Sequence, residues 1–198
     1  MSKMREGSTN LPARATRRSR AALLALFVFA GTPLARGTTL ARMTLGQLAS
    51  AAQVIARVRC TGTTTRREYG SIWTFTDFAV EESFKGAPGA QITIRLPGGR
   101  DGHIEETVEG APRFAAGDDA IIFLERTSAG DWSISAWVEG TFRIARDSQT
   151  GEQTITQESS AMATFDPATR TFRSDGIARM PLAEFRARLD AAMRDGGR

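Results

Sequence analysis

The stretch Asp118-Asp119-Ala120-Ile121-Ile122-Phe123-Leu124-Glu125 decides the fold. It places five consecutive apolar residues, 120–124, between acidic flanks. A run of this length is short for a helix, and it lacks the alternation of a strand with one exposed face. Short apolar runs with polar flanks are typical of strands that are covered on both faces. We therefore expect residues 120–124 to form the central strand of a sheet.

Weaker patterns on both sides of this run predict further strands. Most of them alternate between apolar and polar side chains, which is typical of a half-buried strand. The apolar residues of the longest segment change phase along it, which indicates a strand that is bent or bulged. The predicted strands cover residues 54–64, 72–84, 91–96, 120–124, 132–138, 141–145 and 153–157.

Turns and loops are predicted between these strands. The polar residues 63–71 are expected to form a loop, and residues 97–112, which are rich in glycine and acidic side chains, a long exposed loop with a short strand at 106–108. Glycine and polar residues at 85–89 and 147–151 are typical of turns. Asp166-Pro167-Ala168-Thr169 is expected to turn a last small hairpin between Phe165 and Phe172.

A helix is predicted at each end of the strand region. Thr44 followed three residues later by Gln47 matches a capping box, and the helix that it opens is expected to end near Ala52. Pro181 is expected to begin a C-terminal amphipathic helix over residues 181–194, because proline is tolerated in the first helical turn.

The order of these elements indicates the fold class. A doubly wound α/β fold needs helices between its strands, so about seven successive strands exclude it. We expect a mainly β domain, a small antiparallel OB-like barrel that exposes few strand edges. The barrel is expected at residues 54–146, hairpins at 147–175 and the C-terminal helix at 181–194.

The first 37 residues differ in composition from the rest. Four arginines between residues 14 and 20 precede the uncharged apolar run Ala21–Ala30, and Ala35-Arg36-Gly37 has the small-x-small pattern of a cleavage site. This order is typical of a secretory signal peptide, and ten apolar residues are too few for a bilayer span of about 20. We expect residues 38–198 to remain as one secreted or periplasmic domain. The alternative is a retained helix that is amphipathic or anchors the chain to a membrane.

Removal of residues 1–37 changes the net charge. The full chain has 26 basic and 22 acidic residues, whereas residues 38–198 hold 19 basic and 21 acidic residues, a net charge of −2. Because binding to nucleic-acid phosphates needs a basic surface, we expect no nucleic-acid partner. We also expect no integral membrane span in the mature chain, since no later segment is long and apolar enough.

The loop from Arg100 to Glu106 contains the one histidine of the chain, His103. A catalytic zinc site needs three protein ligands and a serine triad needs a positioned serine and aspartate, and neither pattern occurs. We therefore predict no catalytic residue, no metal site and no cofactor. The loop is expected to be solvated, and its candidate ligand-binding residues are Arg100, Asp101, His103 and Glu105.

The three tryptophans, Trp73, Trp132 and Trp137, have two interpretations. On an exposed face of the barrel they form a platform for a sugar or a partner protein, and otherwise they belong to the core. We include them among the candidate ligand-binding residues. Convergence with the His103 loop in one concave pocket would favour a ligand site.

Cys60 is the one cysteine of the chain, so no intramolecular disulfide can form. It stands in an alternating strand pattern, and we expect a buried core thiol, with a reactive nucleophile as the alternative.

Three segments between Val54 and Leu124 resemble OB-type barrels of secreted netrin and tissue-inhibitor-of-metalloproteinase modules. They are the strands Val54–Cys60 and Gly117–Leu124 and the strand and turn Phe78–Gly86. The chain also resembles exported bacterial proteins. The resemblance implies the fold and no residue role. The inhibitors chelate a protease zinc through an N-terminal cysteine, whereas the mature chain is expected to begin at Thr38 without their disulfides.

Taken together, these patterns favour an exported, non-catalytic binding module that recognises a protein or glycan partner through long loops on a β scaffold. One alternative is a hydrolase or metal-dependent enzyme centred on the His103 loop. Another is a structural envelope protein whose C-terminal helix, residues 181–194, docks elsewhere.

Overall fold

The apolar run at residues 120–124 lies at the centre of an eight-stranded sheet. The structure is a computed structural model, and it describes residues 42–161, 164–166, 169–173 and 176–195. All five residues of the run are 0 % exposed to solvent. The prediction of a central strand covered on both faces is therefore confirmed.

Twelve strands and two α-helices occur in the described residues, so the prediction of about seven strands was too low. The additional strands are short. The helices are α1 (Leu45–Ala51) and α2 (Leu182–Asp195), and the strands are β1 (Val54–Glu68), β2 (Ser71–Lys85), β3 (Gln91–Pro97), β4 (Gly99–Asp101), β5 (Ile104–Glu106), β6 (Asp119–Arg126), β7 (Trp132–Ile134), β8 (Thr141–Arg146), β9 (Gln153–Gln157), β10 (Thr164–Asp166), β11 (Thr171–Arg173) and β12 (Met180–Pro181).

The large sheet is partly closed into a ring. Its strands are hydrogen-bonded in the order β1-β2-β3-β7-β6-β8-β9-β12, and β6 also pairs with β1. Strands β7 and β8 pair with different halves of β6, residues 124–126 and 119–122 respectively. Strands β1, β2, β3, β7 and β6 thus enclose an interior, and β8, β9 and β12 extend the sheet beyond it. The expected mainly β fold with a helix near each end is confirmed.

Two hydrophobic cores lie on opposite faces of β6. Ala120, Ile122 and Leu124 belong to the core inside the ring, together with residues such as Val58, Phe78 and Ile94 of the neighbouring strands. Ile121 and Phe123 point to the second core, outside the ring. Alternation along one strand therefore supplies both cores, because successive side chains point to opposite faces.

The two helices cover the second core. In α1 the predicted capping box is present, with Gln47 N donating to Thr44 Oγ1 at 3.2 Å and Thr44 N donating to Gln47 Oε1 at 2.8 Å. The Lys85 ammonium donates to the carbonyl oxygens of Ala49 and Ala52 at 2.7 and 2.6 Å. A cation at a helix C-terminus satisfies carbonyls that have no partner inside the helix, so Lys85 ties α1 to β2.

Helix α2 packs against the sheet extension. Phe185 and Leu189 are 0 % exposed, and the ring centroids of Phe142 and Phe185 are 4.9 Å apart. The helix begins at Leu182, one residue later than predicted, because Pro181 still pairs with β9 as part of β12. Helix α2 is therefore part of the second core.

The paired strands β1 and β2 are bulged, as the phase change in the sequence predicts. Their register shifts near Ile55, Arg57 and Cys60. Each shift adds an unpaired residue and increases the local twist. Because β1 pairs with β6 only over residues 54–59, the rest of β1 extends past β6 and forms a hairpin with β2. Strand β2 stays joined to the ring, since its residues 73–79 pair with β3. We call residues 61–68 and 71–77 the arm.

The predicted loop at residues 63–71 was wrong, since residues 63–68 continue β1 along the arm. The turn consists of Tyr69 and Gly70, both with positive φ, as the right-handed twist of a two-residue hairpin requires. Three consecutive β-branched residues, 63–65, favour an extended backbone. Their polarity indicated a loop, but it reflects the exposure of the arm.

The predicted long loop at residues 97–112 was also partly wrong, because β4 and β5 form a hairpin there. Gly98 and Gly99 have φ values of +84° and +139°, which side-chain-bearing residues rarely adopt. A Cβ on Gly99 would lie 2.4 Å from Thr74 Oγ1. Gly99 thus lets β4 pack directly on the arm, and Gly98 lets the chain pass close to the carbonyl oxygen of Glu106 in β5. The expected strand at 132–138 is likewise shorter, because residues 137–140 form a 3₁₀ turn.

The expected signal peptide, residues 1–37, lies outside the described residues, as do Pro167 and Ala168 of the last predicted turn. The hairpin around that turn is present, with Phe165 opposite Phe172. In the part of the chain that the structure describes, neither helix has the length and apolar character needed to cross a membrane.

We predict that Phe185→Ala lowers the free energy of unfolding by about 3–5 kcal/mol, because it leaves a cavity between α2 and the sheet. Chemical denaturation followed by tryptophan fluorescence measures the change. Arg188→Ala is the control on the same helix, because its side chain is exposed and pairs with Glu184. It should change stability by less than about 0.5 kcal/mol. Equal effects of the two substitutions would show that α2 is not part of the core.

Candidate binding groove

Aromatic and arginine side chains alternate on the outer face of β1, β2 and β3. In β2, Ile72, Thr76 and Phe78 are buried on the inner side, so Trp73 and Phe75 point outward. The strand register sets Trp73 opposite Arg66 of β1 and Phe75 opposite Arg95 of β3. Each aromatic ring thereby has arginines on the neighbouring strands.

The guanidinium groups stack on these rings along the diagonals of the sheet. The Cζ atom of Arg95 lies 4.0 Å from the ring centroid of Trp73, and that of Arg66 lies 4.9 Å from the centroid of Phe75. Beside them, Arg126 Cζ lies 3.8 Å from the centroid of Trp132 in β7. All three distances are within the range of a cation–π interaction, about 6 Å.

The three arginines differ in their ion pairs. Arg95 bonds to Glu68 at 2.9 Å and to Asp131 at 3.2 Å, so its charge is neutralised. Within the described ranges, Arg66 and Arg126 form no ion pair with a carboxylate. Arg126 donates to the carbonyl oxygen of Gly130 at 2.6 Å, which holds the side chain in place and leaves its charge uncompensated.

These side chains line a groove of about 400 Å³ on the outer face of the sheet. Sites for small ligands commonly have volumes of this order, about 300–1,000 Å³. The groove combines aromatic surface, guanidinium donors and the hydroxyls of Thr64 and Thr93. We call it the arginine–aromatic groove; its lining residues are Thr64, Arg66, Phe75, Asp77, Thr93, Ile94, Arg95, Arg126, Gly130, Asp131 and Trp132.

Stacking determines what the arginines can bind. A guanidinium that lies flat on a ring keeps its N–H donors in its own plane, where they remain free to form paired hydrogen bonds with a carboxylate, sulfate or phosphate. The ring also restricts the side chain before binding, so less entropy is lost on contact. The groove is therefore suited to acidic groups on a partner.

The tryptophans predicted as ligand-binding residues occupy different places. Trp132 lines the groove and is partly packed against the core inside the ring. Trp73 lies beside the groove, with one side of its ring under Arg95. Trp137 stands in the 3₁₀ turn after β7, half-buried and away from the groove lining. The three rings do not form one open platform, and arginines occupy the ring faces of Trp73 and Trp132.

The predicted residues of the His103 loop lie on the β4–β5 hairpin and pair mainly with one another. Arg100 bonds to Glu105 at 2.8 Å, and this contact raises the pKa of the arginine and lowers the pKa of the glutamate. Asp101 lies 3.6 Å from Arg67 of the arm. His103 is exposed in the turn of the hairpin.

Among the described residues no group of three or more histidine, cysteine, aspartate or glutamate side chains is placed to hold a metal ion. The hairpin and the tryptophans do not converge in one concave pocket around His103. The hairpin therefore presents surface charges, and no described residue forms a hydrogen bond or ion pair that would position His103 for acid–base work.

Sequence reasoning missed Arg66, Phe75, Arg95 and Arg126. Within each strand, the sequence indicates which arginine or aromatic side chains point to the same side. Which of them are neighbours across three strands can be determined only when the strand register is known. The wrong loop at residues 63–71 removed Arg66 from β1. The bulges then shift the pairing that would place Phe75 beside it.

Cys60 is a core thiol. It is 2 % exposed inside the ring, and burial raises its pKa. Its Sγ atom lies 3.8 Å from the carbonyl oxygen of Gly62, a contact that places a weak donor beside an acceptor. The thiolate is the reactive form of cysteine, so both burial and the raised pKa oppose a role as nucleophile.

We predict that iodoacetamide at about pH 8 leaves Cys60 unmodified in the folded protein, because the thiol is both inaccessible and protonated. Mass spectrometry should detect alkylation only after guanidinium chloride is added. Rapid alkylation of the native protein would contradict this account of the ring interior.

Comparison with known proteins adds no relative to this description: no family model, no curated protein and no solved structure matches the chain.

Proposed function

We propose that the chain is an exported, non-catalytic binding module that recognises a protein or glycan partner at the arginine–aromatic groove. The observation that carries the proposal is the pair Arg66 and Arg126. Each is stacked on an aromatic ring at the edge of an open groove, and neither is neutralised by a carboxylate in the described residues. Charged groups held in this way without an internal partner favour an external one.

The groove supports binding more than chemistry. Its two acidic side chains are already engaged, since Asp131 pairs with Arg95 and Asp77 accepts a hydrogen bond from Thr93 at 2.5 Å. Acid–base or nucleophilic work needs a group with a suitable pKa within reach of the substrate. The stacked arginines offer donors and positive charge, which bind and orient an acidic partner.

We further propose that the partly closed ring is an OB-like barrel. In that fold the outer face of the second and third strands binds oligosaccharides and oligonucleotides. The proposal is supported by the arginine–aromatic groove, which includes the outward faces of β2 and β3 together with residues of β1, β6 and β7. The netrin-type resemblance of the sequence supports the same fold and contributes no site residue.

Export is proposed from the sequence of residues 1–37. A basic cluster, a ten-residue apolar run and a small-x-small site in this order support a cleaved signal peptide. We expect the protein in the periplasm or secreted, with Thr38 as its first residue. Mass spectrometry of the protein from its own cells would show an intact chain from Met1 to Arg198 if this proposal is wrong.

An enzyme centred on His103 receives no such support. The described residues place this histidine in an exposed turn, and its neighbouring carboxylates are paired with arginines or solvated. We therefore use His103→Ala as a control substitution in the binding experiment.

Binding can be tested with the immobilised mature protein. One sample is incubated with the solubilised native envelope fraction, and parallel samples with the acidic polysaccharide polygalacturonate and with neutral dextran. Bound proteins are identified by mass spectrometry and bound polysaccharide by its sugar content. The proposal predicts retention of an acidic protein or of polygalacturonate, and none of dextran.

We predict that the double substitution Arg66→Gln and Arg126→Gln weakens this binding at least tenfold, about 1.4 kcal/mol, because it removes two charge-assisted contacts. The matched control, Arg188→Gln with Arg194→Gln, removes the same charge from α2. It should retain binding, as should His103→Ala. Equal loss in both double variants would indicate nonspecific attraction. Absence of any partner together with measurable turnover would overturn the binding function.

A further inference from the structure

A second cavity lies at the mouth of the ring, on the opposite side of the arm from the groove. It has a volume of about 140 Å³ and lies between the arm, the end of β3, β4 and the segment before β6. We call it the threonine cavity; it is lined by Thr63, Thr65, Thr74, Thr76, Leu96, Pro97, Gly99, Arg100, Pro112, Arg113 and Phe114.

Four threonines form a regular array on the arm. Thr63 is directly opposite Thr76, and Thr65 is directly opposite Thr74, in the register of β1 and β2. The array runs from the exposed Thr63 to Thr76, which is 0 % exposed. Threonines are therefore found both at the exposed rim of the cavity and at its buried floor.

The hydroxyl of Thr76 has no partner. Its Oγ1 atom is buried and forms no hydrogen bond with any described residue. By contrast, Thr74 donates to the carbonyl oxygen of Gly98 at 2.6 Å. An unpaired buried hydroxyl destabilises a folded protein, whereas valine has nearly the same shape without that cost. The unpaired Thr76 hydroxyl is therefore a polar group beneath the floor of the cavity, which a ligand contacts only when the side chains above it move apart.

The charges at the cavity indicate the chemistry of that ligand. Two arginines, Arg100 and Arg113, stand at its rim, and no aspartate or glutamate is among the lining residues. Arg100 is paired with Glu105, but Arg113 forms no ion pair in the described chain. The Arg113 Nη2 atom donates to the carbonyl oxygen of Glu106 at 3.1 Å, which holds the guanidinium in position.

The remaining walls are apolar. Leu96 and Pro112 are buried, and Phe114 packs edge-on against Phe78 with ring centroids 4.9 Å apart. An apolar protein cavity of about 150 Å³ holds a molecule the size of benzene. The threonine cavity, at about 140 Å³, is of similar capacity.

We propose that the threonine cavity is a binding site for a small organic monocarboxylate, with its carboxylate between Arg113 and the threonine hydroxyls and its apolar part against Leu96 and Phe114. The site is separate from the arginine–aromatic groove and does not rest on the function proposed for it. Gly99 also lines the cavity. A side chain at this position would collide with Thr74 and Thr65.

Butyrate is a suitable probe because it has as many heavy atoms as benzene and one carboxylate. The full mature protein, labelled with ¹⁵N, is titrated with sodium butyrate and separately with neutral butyramide, at constant ionic strength. The proposal predicts saturable shifts of the backbone amides of Thr65, Thr74 and Phe114 with butyrate. Butyramide should bind at least tenfold more weakly, because it lacks the charge that Arg113 recognises.

Two substitutions test the contacts. Arg113→Gln should weaken butyrate binding at least tenfold, and Thr76→Val at least threefold. In the absence of ligand, Thr76→Val should raise Tm, because it removes a buried hydroxyl without a partner. Thr141→Val is the matched control: Thr141 is also 0 % exposed, but its Oγ1 donates to the carbonyl oxygen of Trp137 at 2.9 Å. That substitution should lower Tm.

These measurements distinguish a specific carboxylate site from a cavity that holds only water. Absence of saturable shifts, or equal binding of butyrate and butyramide, would overturn the proposal. A decrease in Tm for Thr76→Val as large as that for Thr141→Val would also overturn it. Such a decrease would show that water already satisfies the hydroxyl.

Discussion

The two-sided burial of β6 is the constraint on which the rest of the structure depends. Each large apolar side chain that is fully removed from water contributes about 1.5–3 kcal/mol, and β6 divides such side chains between two cores. A one-residue shift in register exchanges the two faces of a strand. When both faces are apolar, this shift buries no polar side chain, so the hydrophobic pattern alone does not fix the register. The register needs another determinant, and Arg57 provides one by bonding to Asp119 at 3.0 and 2.6 Å through two nitrogens. This bidentate pair fixes β1 against the first residue of β6.

The same constraint produces the arm and hence both candidate sites. Strand β1 pairs with β6 over only six residues, since β6 is short, but β1 and β2 are each 15 residues long. The excess length of β1 extends past β6 in pairing with β2, which remains bonded to β3. The outer face of the arm carries Arg66, Trp73 and Phe75, and its inner face carries the threonine array. Alternation thus gives one hairpin two chemically different surfaces, one charged and aromatic, the other hydroxyl-lined.

Much of the fold could be predicted from the sequence, because it depends on local patterns. The run at residues 120–124, the capping box at Thr44 and the amphipathic α2 each contain their own signal. The wrong predictions are the loops at residues 63–71 and 97–112, where polar residues and glycines were taken to indicate irregular structure. Residues 63–68 are polar because the arm is exposed. Gly99 allows close packing of β4 against Thr74, and Gly98 allows the close approach of the Glu106 carbonyl oxygen. The candidate sites were harder to predict, because they depend on register. Single-strand patterns placed Trp73 and Trp132 among the candidates but missed the arginines that cover them.

Arginine–aromatic stacking also explains why an exposed, polar arm keeps a defined surface. Arg95 is held from three sides, by Trp73 below and by Glu68 and Asp131 at its edges. Its side chain therefore has a fixed position in the middle of the groove. Arg66 and Arg126, on either side, stack on a ring but pair with no carboxylate in the part of the chain that the structure describes. A lysine would form a weaker stack and present no planar set of donors. Arginine combines a restricted side-chain conformation with several N–H donors in the plane of the guanidinium. The central arginine is neutralised by two carboxylates, whereas its two neighbours have no carboxylate partner in the described residues. This contrast distinguishes the groove from a surface of ordinary solvated ion pairs.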